Sequence, residues 1–495
     1  MRDVQQVDSA KRGFIILWLV LTLLKVVLAM RLPLFVDEAF YWQEGQHLAW
    51  AYSDLPGLTA WLAWLGHALV AGSALALRLP FLLLGAAIPW VMVRMSAREL
   101  GARAGWWAGS LCVLMPLAGS LGVLALPDVP LLFASVLCLD AGLRVLHRVD
   151  TLATAELALG LAIGGLTHYR FAAVILVGLV TLLVLCEGRR ALRSPRLWAA
   201  IGVGALAWLP LLWWNLHNAD AGLKFQLVDR HPWVLSRGGF ELGLLQWLPT
   251  TPVLLLVMAG VAVRGLRDTR TAAARYLAIS GMAIVLGFFL LGFFTDQQRV
   301  SFHWPVPGFV ALLPLAALSL MNSGRILRHI TLAVTAMGLL AALGFFAVAS
   351  VPQWRTLAAL RGVQLGNFAG WDVLADAIRT QQARLPAGAR VLAGDFKIGA
   401  EMGFALGDAN LPVLAHPLNE KHGRAVQLSL WNLLHASRDA LGPGPWLLVA
   451  SPSHAGFDSD RIYQDKLQKQ LGPLPAPQVL QVDGGSKQYW LFVLQ

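Results

Sequence analysis

Apolar residues fill long stretches of the first 350 positions, and charged residues are grouped in the short segments between them. About 20 apolar residues are enough to cross a bilayer as a helix. The pattern predicts eleven spans, at about 13–30, 79–97, 106–125, 129–147, 155–168, 170–186, 197–215, 242–263, 276–294, 304–321 and 330–349. The fifth and sixth stretches are short and meet at His168-Tyr169-Arg170, so the count of eleven depends on that junction.

From about residue 350 the pattern changes to short β-type runs that alternate with amphipathic helical stretches. The expected strands lie at 390–393, 412–415, 446–450, 478–482 and 489–494, and the expected helices at 371–384, 398–406 and 460–471. About 140 residues are enough for an independent core. We therefore expect two domains: a transmembrane domain at 1–349, with a large first loop at 31–78, and a compact α/β domain at 350–495.

Basic residues are concentrated in alternate loops, which predicts the orientation of the chain. With the N-terminus in the cytoplasm, the inner segments hold 18 of the 26 lysines and arginines that precede residue 350. Such an excess is typical of cytoplasmic loops. An odd number of spans then places the C-terminal domain outside, on the same side as the first loop.

Composition excludes an ordinary soluble enzyme, because 57% of the residues are hydrophobic and only 14% are charged. The mean hydropathy is +0.61. A net charge of +11 would suggest nucleic acid in a soluble protein. Here the excess of inner-loop arginines accounts for most of that charge, so we expect no nucleic-acid partner. Near the inner end of the fourth span, the spacing of Asp140 and Arg144 predicts a local ion pair.

The first outer loop carries adjacent carboxylates beside aromatic residues, in the string Asp37-Glu38-Ala39-Phe40-Tyr41-Trp42. A carboxylate can accept the proton of an attacking hydroxyl, and aromatic rings pack against sugar rings. A solvated acidic turn flanked by interfacial aromatic residues has the same pattern, so the residues alone leave both interpretations open. The apolar stretch at 58–70 is too short to span and predicts an interfacial helix.

The order of motifs along the chain resembles the polyprenyl-phosphate-sugar-dependent glycosyltransferases of the C-type (GT-C) fold. These include bacterial relatives of protein O-mannosyltransferases and the lipid A aminoarabinose transferase. The matching motifs lie at 37–42, 52–56, 77–80, 126–128, 165–169, 214–215, 225–230, 303–305, 392–401 and 427–431. The resemblance implies a polytopic α-helical membrane protein with a C-terminal α/β domain on the periplasmic side of the bacterial inner membrane.

The resemblance also implies roles for individual residues. An acidic residue of the first outer loop is the general base in this family, which assigns that role to Asp37. Glu38 is then a neighbour that orients the acceptor or tunes the base, and Asp128 matches the second acidic residue of the family. The residues expected to bind substrate are Tyr41, Trp42, Tyr52, Asp54, His168, Tyr169, Arg170, Arg230, Arg299 and His303.

Cations on the outer side are candidates to stabilise the departing phosphate, because charge interactions strengthen in a water-poor cavity. They are Arg170, Arg230, Arg299, His168, His231 and His303. The chain departs from the family at two positions: Leu55 stands where relatives often have a histidine, and His168 where they often have a lysine. Arg170 or Arg299 could replace that missing lysine.

The expected function is inverting transfer of a monosaccharide from polyprenyl (undecaprenyl) phosphate to an envelope acceptor, with a lipid-linked glycan such as lipid A or lipopolysaccharide as the leading choice. A lipid-linked sugar flippase or transporter and a protein O-glycosyltransferase are the alternatives. The motifs demand no cofactor. A divalent metal held by Asp37, Asp128 or Glu38 is an alternative way to bind the phosphate.

Overall fold

The computed structural model describes residues 2–219, 221–229, 233–268, 271–294, 301–363, 365–455 and 460–494. The chain is mainly helical. In its first 350 residues the helices are α1 (Arg2–Arg31), α2 (Val36–Gln46), α3 (Leu58–Leu69), α4 (Ala74–Leu100), α5 (Ala102–Leu114), α6 (Pro116–Ser120), α7 (Asp128–His147), α8 (Thr151–Thr167), α9 (Phe171–Val184), α10 (Cys186–Ala191), α11 (Pro195–Leu206), α12 (Leu209–His217), α13 (Ala221–Lys224), α14 (Gly238–Leu244), α15 (Trp247–Thr250), α16 (Pro252–Arg267), α17 (Ala272–Gly292), α18 (Val306–Met321) and α19 (Arg325–Ser350).

Within the described ranges, six helical stretches are long and apolar enough to cross a membrane. They are Val4–Arg31, Ala74–Leu100, Asp128–His147, Pro195–His217, Ala272–Gly292 and Arg325–Ser350. Gly238–Thr250 and Pro252–Arg267 form a seventh only as a pair bent by 105°. The helices at 151–167, 171–184 and 306–321 are shorter. The predicted span at 106–125 is broken into α5 and α6, because Pro116 has no backbone N–H to continue the helix.

Contacts divide the chain into two compact units. The first unit comprises Met1–Val27, Leu55–Thr59 and Arg78–Gly344, and the second comprises Leu28–Asp54, Ala60–Leu77 and Phe345–Gln495. Most of the first outer loop therefore groups with the C-terminal residues, although the two are far apart in sequence. We call residues 345–495 the tail.

In the first unit, close helix packing depends on small residues. A Cβ added to Gly281 of α17 would lie 2.9 Å from the carbonyl oxygen of Gly308 in α18, and one added to Gly308 would lie 2.7 Å from that of Gly281. These distances are too short for a side chain at either position. The two glycines therefore let α17 and α18 approach each other with their backbones nearly in contact.

Asp140 of α7 is the centre of an ion network that joins three helices of the first unit. It is fully buried, and it pairs with Arg94 of α4 at 2.7 Å, with Arg98 of α4, and with Arg144 at 3.5 Å. Glu156 of α8 pairs with Arg94 and, at 3.2 Å, with Arg144. The predicted local pair of Asp140 and Arg144 is thus one part of a larger network linking α4, α7 and α8.

Replacing Asp140 with alanine is expected to lower the free energy of unfolding by about 1–3 kcal/mol, because three arginines lose the buried carboxylate that they share, while Arg94 and Arg98 stay accessible to water. The measurement is thermal or denaturant unfolding in detergent. Asp8→Asn, at an exposed position of α1, is the control and is expected to change stability by no more than about 0.5 kcal/mol. Equal stability of the Asp140 variant and the control would show that the network contributes nothing.

The tail is an α/β domain built on one six-stranded sheet. Its helices are α20 (Pro352–Leu360), α21 (Trp371–Gln382), α22 (Phe396–Leu406), α23 (Pro417–Lys421), α24 (Arg424–Leu430), α25 (Pro452–Ala455) and α26 (Asp460–Leu471). Its strands are β1 (Arg390–Ala393), β2 (Val413–Leu414), β3 (Leu434–His435), β4 (Trp446–Ala450), β5 (Gln478–Val482) and β6 (Lys487–Leu494). The strand order is β3-β2-β1-β4-β6-β5. Strands β1 to β4 are parallel to one another, and β6 pairs antiparallel with both of its neighbours, β4 and β5.

The predicted strands and helices of the tail agree with the structure in position, while β3, α20, α23, α24 and α25 were not predicted. Strand β4 is a continuous apolar run and β1 is apolar after Arg390, as expected for strands buried on both faces. The five missed elements are short, two to nine residues. One of them, α24, begins at a residue of the candidate site.

Candidate active site

Helix α2 presents acidic and aromatic residues of the first loop on one face. Asp37, Tyr41 and Glu44 are spaced by four and three positions, which places them on the same side of the helix. Glu38 points elsewhere: it is fully buried, and its Oε2 accepts a hydrogen bond from the backbone N–H of Phe35 at 2.9 Å. Glu38 therefore caps the first turn of α2, a structural contact that differs from the predicted role at the substrate.

Arg424, the first residue of α24, contacts three carboxylates that come from the first loop. Its Nη1 pairs with Asp54 and, at 3.4 Å, with Glu44, and its Nη2 lies 3.4 Å from Oδ1 of Asp37. The guanidinium also lies 4.0 Å from the ring centroid of Phe40. All these residues belong to the second unit. We call Asp37, Glu44, Asp54 and Arg424 the arginine cluster.

The three carboxylates differ in their access to solvent. The side chain of Asp37 is 33% exposed, whereas those of Glu44 and Asp54 are 1% and 6% exposed. A substrate hydroxyl can reach Asp37 from outside, but Glu44 and Asp54 face the interior. Of the three, Asp37 is the carboxylate suited to exchange a proton with a bound molecule.

Burial and the repulsion between neighbouring carboxylates shift the pKa values of residues in the arginine cluster. Burial, with the nearby carboxylate of Asp54, raises the pKa of Glu44 well above its ordinary value. Burial opposes the charge on Arg424, but Asp54 and the other acidic neighbours outweigh it and raise the Arg424 pKa. The guanidinium therefore stays charged. Burial also lowers the pKa of nearby His422 to about 4, so this imidazole is neutral at pH 7.

The aromatic residues predicted to contact sugar are packed inside the second unit. Tyr41 is 5% exposed, Trp42 is 2% exposed and Tyr52 is fully buried. The Trp42 Nε1–H donates to His67 Nδ1 at 3.2 Å, and the Tyr52 hydroxyl donates to the Glu44 carbonyl at 2.8 Å. The contacts described here stabilise the loop, and contact of these three rings with a sugar stays a prediction.

The tail motif at 427–431 has a structural explanation. Gln427 Oε1 accepts from the backbone N–H of Ser53 at 2.9 Å, and the Ser53 hydroxyl donates to the carbonyl of Gly423 at 2.6 Å. Trp431 stacks on His47 of the first loop, with ring centroids 4.6 Å apart. These contacts join the first loop to α24 and bring Arg424 to the carboxylates. Sequence reasoning missed Arg424, although it stands three positions before this motif.

A second polar cluster lies in the first unit, at the ends of α7, α9 and α18 that are predicted to face outside. Arg170 Nη2 lies 3.2 Å from Oδ1 of Asp128, and His303 Nε2 lies 3.5 Å from the same oxygen. Arg170 Nε donates to His168 Nε2 at 3.1 Å, and the Arg170 guanidinium lies 5.7 Å from the ring centroid of Trp304. Four predicted site residues are thus brought together. We call Asp128, His168, Arg170 and His303 the aspartate–arginine cluster.

The other predicted residues of this region are placed differently. The Tyr169 hydroxyl accepts a hydrogen bond from Asn215 Nδ2 at 3.1 Å, which ties the α8–α9 junction to α12. Arg230, His231 and Arg299 lie outside the described residues. Their predicted contact with phosphate therefore stays a prediction.

An apolar cavity of about 340 Å³ runs along the helices that carry the aspartate–arginine cluster. Phe171, which directly follows Arg170, and Pro307, four residues after His303, line it. On α7 the lining extends from Ser135 to Val145, which is about 15 Å at 1.5 Å per residue. The cavity is long enough and apolar enough for part of a lipid chain.

The carboxylates of the two clusters do not fit the predicted metal alternative. Asp37 faces Arg424, and Asp128 faces Arg170, so in each cluster an arginine stands beside the carboxylate. Among the residues that the structure describes, no three His, Cys, Asp or Glu side chains are arranged to hold a metal ion.

Comparison with known proteins supports the assignment of the fold. A family model described as dolichyl-phosphate-mannose-protein mannosyltransferase matches residues 54–214. The crystal structure of ArnT from Cupriavidus metallidurans bound to undecaprenyl phosphate is similar over 97% of this chain and 98% of that one, with a TM-score of 0.70 and 16% identity. The chain therefore has the fold of ArnT.

Two relatives from Rhizobium johnstonii match in sequence. The lipid A galacturonosyltransferase RgtD is 27% identical over 56% of this chain and 58% of its own length. The lipopolysaccharide core galacturonosyltransferase RgtA is 27% identical over 39% of this chain and 40% of its own length. The matches thus span only about half the length of these relatives. Together with the fold, they confirm the resemblance to the GT-C glycosyltransferases.

Proposed function

We propose that this protein is an inverting glycosyltransferase that moves a monosaccharide from a polyprenyl phosphate to a glycolipid of the lipid A class. The observation that carries the proposal is the aspartate–arginine cluster beside the long apolar cavity, both in the first unit. A polyprenyl phosphate has the same two parts, an anionic phosphate and a long apolar chain. ArnT, whose fold this chain shares, is described with undecaprenyl phosphate bound.

The transfer needs no nucleotide, because a sugar on polyprenyl phosphate is already activated. The acceptor oxygen bonds to the anomeric carbon while the bond from that carbon to the phosphate oxygen breaks. The hydroxyl proton passes to Asp37, and the electron pair leaves with the phosphate. Attack opposite the leaving group inverts the anomeric centre.

Each cluster, taken within its own unit, has the chemistry for one requirement of this reaction. We assign the role of general base to Asp37, whose carboxylate is partly exposed. Arg170 and His303 are assigned to the charge that develops on the phosphate, because donors beside the apolar cavity of the same unit are effective there. Asp128 contacts both side chains through one oxygen.

The relatives and the charge pattern support the proposed acceptor and location. RgtD and RgtA are named for lipid A and the lipopolysaccharide core, which supports a glycolipid acceptor in the bacterial envelope. The arginine-rich inner loops support reaction at the outer face of the inner membrane, with the tail in the periplasm. A protein acceptor is the second candidate, because the matching family model is named for protein mannosylation.

The test is transfer by the purified protein in liposomes. The donors are undecaprenyl phosphates that carry radiolabelled galacturonic acid, aminoarabinose or mannose, and the acceptors are lipid A or a serine-rich peptide. We expect label from at least one donor in lipid A. Label in the peptide alone would support the protein acceptor. Movement of donor across the bilayer without transfer would indicate a flippase instead.

A further inference from the structure

The arginine cluster contains a tail residue that the proposed mechanism leaves without a role. The side chain of Arg424 is 4% exposed and contacts Asp37, Glu44 and Asp54. Asp37 and Arg424 are 387 positions apart in sequence. Its contact with Asp54 is short and charge-assisted, and the carboxylates of Glu44 and Asp37 lie at 3.4 Å. One of those carboxylates belongs to Asp37, the proposed base, so Arg424 affects catalysis as well as folding.

We infer that Arg424 is a positioning residue, which holds the carboxylate of Asp37 in the orientation that accepts the acceptor proton. This inference rests on the proposed function, since it concerns the base of that reaction. It assigns to the tail a direct part in catalysis: the tail supplies the group that orients the base.

The contacts of Arg424 explain how it can orient Asp37. Asp54 and Glu44 share Nη1, and the ring of Phe40 lies under the guanidinium, so its plane is fixed on several sides. Nη2 is left to face Oδ1 of Asp37. With Oδ1 directed at Arg424, Oδ2 is the oxygen available to a hydroxyl. A planar guanidinium provides this directional contact better than an ammonium group would.

A purely structural role must be separated from positioning. Removing Arg424 alone leaves Glu44 and Asp54 buried without their cation, which costs stability and can abolish activity through misfolding. The informative variant therefore neutralises those two carboxylates at the same time. Glu44→Gln and Asp54→Asn with Arg424→Met keep the side-chain volumes close to the original and remove the buried charges, while Asp37 stays intact and partly hydrated.

The expected result separates folding from catalysis. The triple variant should recover most of the thermal stability that Arg424→Met alone loses. Its kcat for sugar transfer should stay about 10- to 100-fold below the wild type, with little change in the KM for the donor, because the base is present but no longer oriented. Arg424→Lys should recover part of kcat, since it keeps the charge without the planar geometry.

Arg355→Met is the matched control. Arg355 is also a buried arginine of the tail, 3% exposed, and it lies 3.6 Å from Asp483, outside the arginine cluster. We expect this variant to lower thermal stability while kcat of the folded fraction stays near the wild-type value. A triple variant that transfers sugar at the wild-type kcat would overturn the inference, as would an equal loss of kcat in the Arg355 variant. A wild-type protein that transfers no sugar would overturn the proposed function and the inference with it.

Discussion

Replacing Asp37 with asparagine is expected to lower kcat of sugar transfer by about 10²- to 10⁴-fold, which is the usual contribution of a general base. Asparagine has the same shape but cannot take the proton of the acceptor hydroxyl. The free energy of unfolding should fall by no more than about 1 kcal/mol, because the lost ion pair with Arg424 is partly exposed. The measurement is the initial rate at saturating donor and acceptor in liposomes.

Asp376→Asn is the control for this experiment. Asp376 also lies in the second unit and pairs with an arginine, Arg379 at 2.9 Å, but its side chain is 77% exposed and far in sequence from the first loop. We expect this variant to keep the wild-type rate. If Asp37→Asn also keeps that rate, Asp37 is not the base, whatever the protein transfers.

Replacing Arg170 with methionine is expected to lower kcat/KM for the donor by about 10²- to 10³-fold, because the developing phosphate charge loses a preorganised donor. The substitution also removes the contacts of Arg170 with Asp128 and His168. Thermal unfolding of the same samples therefore accompanies the kinetics. If Arg170→Met unfolds at the wild-type temperature, the lower kcat/KM is an effect on catalysis and not on folding. Arg170→Lys should restore part of kcat/KM.

Arg196→Met is the matched control, since Arg196 is an exposed arginine on a predicted inner loop of the same unit. It is expected to leave donor kinetics unchanged. Equal losses in the two arginine variants would indicate a general effect of charge at the membrane surface. No loss in the Arg170 variant would remove the aspartate–arginine cluster from the mechanism.

The position of helices was predictable from the sequence because membrane crossing imposes a length and an apolar composition on each segment. The predicted span at 129–147 coincides with α7, and the one at 276–294 nearly coincides with α17. What the pattern did not reveal is where the chain breaks within an apolar stretch. The bend of 105° before α16 falls at Thr251, whose φ is +76°, directly before Pro252, and a window of hydropathy records neither feature.

The role of the aromatic residues in the first loop could not be predicted from the sequence either. Tyr41, Trp42 and Tyr52 beside carboxylates are typical of a sugar site, and equally typical of a packed loop. In the structure they are buried among residues of the loop and the tail. Whether such a ring faces a ligand or a core depends on which segment covers it, and the covering segment is distant in sequence.

The sequence by itself located most of the apolar helices and five of the six strands that the structure describes in the tail, because each is encoded by a local period or a local composition. The resemblance carried by its motifs indicated the acidic residue to test. Only the tertiary structure decided the partners of that residue. Asp37 meets Arg424 across 387 positions, and Asp128 at the start of α7 meets Arg170 from the α8–α9 junction and His303 from the turn before α18. Such contacts arise from the packing of distant segments, which leaves no repeating pattern along the chain.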